Sequence, residues 1–111
     1  MRALLSDPDA QCFAHAVNLC EVYYDFCRAA DAGIARRTLL DLTAVGLRRV
    51  EYLDVEFCER VGSSKAANRV SLADCFALAL AGSLDAALVT SDRHELEVFA
   101  SRSQYRIRFI R

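Results

Sequence analysis

A chain of 111 residues fits one domain and leaves no room for two. Its 54% hydrophobic and 26% charged residues exclude both a disordered segment and a membrane protein, and no apolar run approaches the roughly 18 residues needed to span a bilayer. The net charge of −1 does not by itself announce nucleic-acid binding.

Taken in chain order, residues 12–17 form a short apolar run of buried-strand character. Asn18 follows as a helix cap, and Asn18-x-x-Glu21 has the reciprocal spacing of a capping box. Apolar residues at 19, 22, 23, 26, 27 and 30 then recur at helical spacing, with Gly33 as the stop. A second helix is predicted over about 34–45, with Leu39, Leu40 and Leu42 inward and Gly46 ending it. Residues 47–53 alternate as a strand, and Asp54 caps a short helix carrying Val55, Phe57, Cys58 and Val61. Residues 62–68 read as a loop or an extension of that helix. Ser71-x-x-Asp74 is a second capping box, opening a strongly apolar helix from Leu72 to Leu80 with Gly82 as its stop. The continuous apolar run at 86–90 suits a strand buried on both faces. Asp92 caps the next helix, through Phe99, and residues 105–110 alternate as an edge or half-exposed strand. The order β-α-α-β-α-α-β-α-β predicts an α/β fold with a mostly parallel sheet in three layers, as one domain over residues 1–111.

Composition adds compartment and partners. The opening Met-Arg-Ala-Leu-Leu-Ser-Asp-Pro turns acidic too soon for a signal peptide, so a cytoplasmic location is expected. The five cysteines are an odd number without a CxxC pair, and each has apolar neighbours, which predicts reduced core thiols. Cys20 and Cys27 would stand about 10 Å apart along a helix, too far to share a zinc ion. Only one of the fourteen basic residues, Lys65, is a lysine, and four arginines (Arg102, Arg106, Arg108, Arg111) close the chain with no acid among them.

Three carboxylates stand out: Glu21, Asp74 and Asp92. Each has a structural use at a helix start, where a carboxylate complements the dipole by about 0.5–1 kcal/mol. Together they suggest more, because in a parallel sheet the strand ends that lead into helices open at one edge, where ligands bind. Clustered carboxylates suit a hard cation such as Mg2+ or Mn2+, which activates water and neutralises charge on a phosphodiester. Thr90 and Ser91 add hydroxyls next to Asp92 for positioning water or phosphate. His94 reads as a helix-start residue and His15 as a buried, hydrogen-bonded one, so neither joins the site.

The segments Ala16-Val-Asn-Leu-Cys-Glu-Val-Tyr-Tyr24, Ser71-Leu-Ala-Asp-Cys-Phe-Ala-Leu-Ala-Leu-Ala81 and Ala87-Leu-Val-Thr-Ser-Asp92 together resemble the PIN-domain nucleases, most of all the VapC-type toxins of toxin–antitoxin pairs. The resemblance runs along nearly the whole chain. It implies a three-layer α/β/α sandwich, Mg2+- or Mn2+-dependent ribonuclease activity, homodimerisation and neutralisation by a small antitoxin. Glu21, Asp74 and Asp92 would take the family's second, third and fourth acidic positions, serving as catalytic residues and metal ligands. Arg69 and Arg93 would contact RNA near them. The family pattern begins with an apolar strand ending in an aspartate, whereas residues 1–8 look like the end of its first helix, and neither Asp7 nor Asp9 stands in for that ligand. The resemblance therefore implies that the central first strand and one metal ligand are missing. Two further readings follow: a catalytically inactive, truncated remnant retained as a binding or dimerisation module, and an unrelated α/β regulatory domain whose acids only cap helices.

Overall fold

The computed structural model describes residues 11–85 and the backbone of 88–90 and 107–109. The chain divides into two compact units, Met1–Glu51 and Tyr52–Arg111. Each holds one pair of parallel strands and two helices among the described residues, which places the chain in the α/β class.

In the first unit, β1 (Phe13–His15) pairs with β2 (Arg48–Val50), Phe13 opposite Arg48 and His15 opposite Val50. Parallel neighbours need a long crossover, here supplied by helices α1 (Ala16–Ala29) and α2 (Ala32–Ala44), which pack against each other. The predicted start of α1 needs correction. The helix begins at Ala16 because His15, buried at 2% exposure, caps it: its Nδ1 accepts a hydrogen bond from Val17 N–H at 3.1 Å. Asn18 thus lies inside the first turn, and Asn18-x-x-Glu21 is not a capping box. The apolar run from 12 to 17 is split between strand and helix, a division that short apolar segments do not reveal by periodicity.

The end of α1 also differs from expectation. The helix stops at Ala29, with Ala30 N–H donating to the Phe26 carbonyl at 2.9 Å, and Asp31 at once caps α2 by accepting from Ile34 N–H at 2.8 Å. Gly33 is therefore inside α2 instead of ending α1. A side chain there would crowd the capping carboxylate, since a Cβ would stand 3.2 Å from Asp31 Oδ1. Gly46 ends α2 as predicted, with φ of 100°. Its N–H donates to the Thr43 carbonyl and Leu47 N–H to the Leu42 carbonyl, the paired bonds of a Schellman motif. Leu39 and Leu42 are half-buried beside the fully buried Ala35, whereas Leu40 is 59% exposed and does not point inward.

In the second unit, Asp54 caps α3 (Val55–Ala67) by accepting from Phe57 N–H at 2.8 Å, as the sequence predicted. The stretch from Gly62 continues this helix to Ala67. Past its end, Asn68 Nδ2 donates back to the Ser64 carbonyl at 2.9 Å, and Lys65 Nζ donates to the Val70 carbonyl at 2.7 Å. Ser71 then caps α4 (Leu72–Ser83), accepting from Asp74 N–H at 3.1 Å. Gly82 does not stop α4, which runs on to Ser83. Phe57 and Val61 from α3, Val70, and Cys75, Phe76, Leu78, Ala79 and Leu80 from α4 form the buried core of this unit. Phe57 meets Tyr52 edge-on at 5.4 Å and Phe76 at 5.8 Å between ring centroids. Strand β3 (Leu88–Thr90) pairs in parallel with β4 (Ile107–Phe109), Leu88 opposite Ile107. The helix predicted over 92–99 lies outside the described residues.

No helix among the described residues is long and apolar enough to cross a membrane. All five cysteines are free thiols. Only Cys75 is buried and Cys12 half-buried; Cys20, Cys27 and Cys58 are exposed, which corrects their expected place in the core. They fall on helix faces left open among the described residues, a property their apolar sequence neighbours do not encode.

Candidate active site

Asp74 is the best-defined member of the predicted site. Ser71 fixes the first turn of α4 through the hydroxyl that accepts from Asp74 N–H, so the carboxylate is held at the positive end of the helix dipole in a half-buried setting. Directly after it, the Cys75 thiol is fully buried. Burial pushes its pKa up, the neighbouring Asp74 carboxylate pushes the same way, and Lys65 pulls against both. Arg69 is exposed in the connection that leads into this turn, five residues before Asp74.

Glu21 is exposed on α1. Because the helix starts at Ala16, Glu21 belongs to its second turn, roughly 7.5 Å along the axis from the first helical residue. No acidic residue occupies the first turn, so the dipole-complementing role expected from a capping box is absent there. Thr90 is the last residue of β3. Ser91, Asp92, Arg93 and His94 lie outside the described residues. His15 is buried, and its Nδ1 serves as the α1 cap.

Among the described residues no three His, Cys, Asp or Glu side chains converge as a metal site. The trio is thus not assembled within them: Glu21 belongs to the first unit, Asp74 to the second, and Asp92 is not described. The donor chemistry nonetheless fits a hard divalent cation, since all three are carboxylates. Burial pushes the thiol next to Asp74, Cys75, toward its neutral form, while Cys20 beside Glu21 is exposed. A cleft of about 470 Å³ between α3 and α4, lined by Glu56, Glu59, Arg60, Ser63 and Leu78 among others, contains none of the predicted site residues.

The PIN-domain family model matches residues 1–101. The chain belongs to the PIN-domain family. No curated protein and no solved structure matches it. PIN domains are in general metal-dependent nucleases acting on RNA or DNA, typically with Mg2+ or Mn2+, and they often pair with antitoxins. In this PIN domain one pair of side chains escaped the sequence reading. The Arg28 guanidinium lies over the exposed Tyr24 ring, 5.4 Å from its centroid. The signal was present as an aromatic and an arginine four residues apart on a predicted helix.

Proposed function

We propose that this PIN domain is a metal-dependent endoribonuclease of the toxin–antitoxin type, similar to VapC toxins, that cleaves RNA phosphodiester bonds. The observation that carries the reading is the setting of Asp74: a half-buried carboxylate, locked by Ser71 at the first turn of an apolar helix, in a chain that belongs to a nuclease family. Glu21, Asp74 and Asp92 are the ligands and catalytic residues for Mg2+ or Mn2+. The bound cation supplies water activation and charge neutralisation on the phosphodiester. Thr90 or Ser91 orients the attacking water or the phosphate, and Arg69 and Arg93 hold the RNA backbone close by. A small antitoxin protein and a second copy of the chain are the proposed partners. Exposed Leu53, Val55 and Leu72 supply apolar surface for such contacts.

The test is cleavage of a structured RNA by the 111-residue chain with Mg2+ or Mn2+, beside Asp74→Asn. The expected result is metal-dependent cutting that falls at least about 100-fold in the variant, more than outer-shell changes at metal sites typically cost. Equal cutting by both proteins overturns the ligand assignment. No cutting by the folded chain leaves the second reading, a binding or dimerisation module.

A further inference from the structure

We propose that Tyr24 and Arg28 form a subsite for single-stranded RNA on α1, the ring stacking on a base and the guanidinium meeting an adjacent phosphate. The inference rests on the ribonuclease reading in one respect: Glu21 is taken as part of the cleavage centre that the subsite flanks.

Glu21, Tyr24 and Arg28 occur at i, i+3 and i+7, so their Cα positions fall within about 60° of one another around the helix. Along the axis Tyr24 stands roughly 4.5 Å and Arg28 roughly 10.5 Å beyond Glu21. Helical side chains lean toward the N-terminus, which brings Arg28 back over Tyr24 and aims Tyr24 toward the turn of Glu21. The observed distance of 5.4 Å from the guanidinium carbon to the ring centroid is this arrangement. A carboxylate, an open ring and a cation thus follow one another along one stripe.

Tyr24 is 56% exposed, and neither its hydroxyl nor the Arg28 guanidinium makes a hydrogen bond or ion pair among the described residues. Asp25 borders the same stripe three residues before Arg28, yet the guanidinium pairs with the ring instead. Every nucleobase has a face that stacks on an aromatic ring, and arginine adds both cation–π attraction and a donor fork matched to phosphate. An apolar protein segment laid on this stripe would strip water from Arg28 without returning a counter-charge, which is costly. RNA supplies the phosphate together with the base. The chemistry of the pair therefore favours a single strand over a protein.

Binding is measured apart from cutting. In an Asp74→Asn background, a fluorescein-labelled single-stranded RNA of about 10 nucleotides, the scale of one stacking groove, is titrated against Tyr24→Leu, Tyr24→Phe, Arg28→Gln and Arg28→Lys. Circular dichroism melts confirm folding, which the exposure of both side chains should leave intact. Tyr24→Leu is expected to weaken binding about tenfold or more, and Tyr24→Phe to restore it. Arg28→Gln should lower the salt slope by about one phosphate contact, while Arg28→Lys keeps it. Unchanged affinity in Tyr24→Leu, or equal loss with duplex RNA, overturns the subsite. So does a parent that binds no RNA but self-associates through a face that Tyr24→Leu disrupts. A chain that does not cut, yet loses single-strand binding in Tyr24→Leu, keeps the subsite and sinks only the cleavage reading.

Discussion

Asp74 and Cys75 are consecutive residues with opposite surroundings, and the difference decides what each can do. The carboxylate lies half-buried at a helix start that favours negative charge, while the thiol points into the core and holds its proton. Since burial raises the thiol pKa in the folded chain, the folded state binds the proton more tightly than the unfolded one. Its stabilising contribution is then complete below the ordinary thiol value of 9.0 and is lost as pH rises from there through the raised folded value. Urea denaturation between pH 7 and 10 should show a decline in stability that Cys75→Ala makes shallower; parallel declines in both proteins would contradict this. The same contrast governs reactivity. A thiol reagent applied to the native protein should modify Cys20, Cys27 and Cys58 quickly and Cys75 only on unfolding, as peptide mass mapping would show.

At the scale of elements, the capping residues carry more than their size suggests. Asp54 and Ser71 each satisfy a first-turn N–H and start the two helices whose faces make the core of the second unit. Ser71→Ala should cost about 1 kcal/mol in a denaturant titration, and part of any activity loss should follow from a frayed turn around Asp74. Leu78, fully buried on α4, should cost about 2–5 kcal/mol when cut back to alanine, the difference from Ser71→Ala measuring packing against capping. Gly46 holds a positive φ at the end of α2, so Gly46→Ala should destabilise by about 1–2 kcal/mol although a Cβ there meets open space. Asp54 and Ser71 were legible in the sequence because a cap is a local device: the side chain, its acceptor atom and the N–H it serves lie within three residues. The start of α1 was not. His15, the buried last residue of β1, became the cap, and the asparagine that looked better suited was absorbed into the first turn.

For the molecule as a whole, PIN membership places these parts in a family of metal-dependent nucleases. If the three carboxylates act on a shared cation, chelation with EDTA should abolish RNA cutting and added Mn2+ should restore it, whereas an ion-independent activity would exclude the mechanism proposed above. Much of this was determined by the sequence alone. The order of the described strands and helices, the parallel pairing it demands and the caps at Asp54 and Ser71 are properties of spacing and local chemistry, and the resemblance of three segments to the PIN domains pointed to the family that the family model shows. The tertiary structure alone decided which apolar side chains are covered. Leu39 and Leu42 are half-buried while Leu40 faces water, three of five cysteines lie outside the core, and Tyr24 is left open beneath Arg28. Helical periodicity offers several candidate faces to each helix, and only the neighbour packed against it selects the one that is buried.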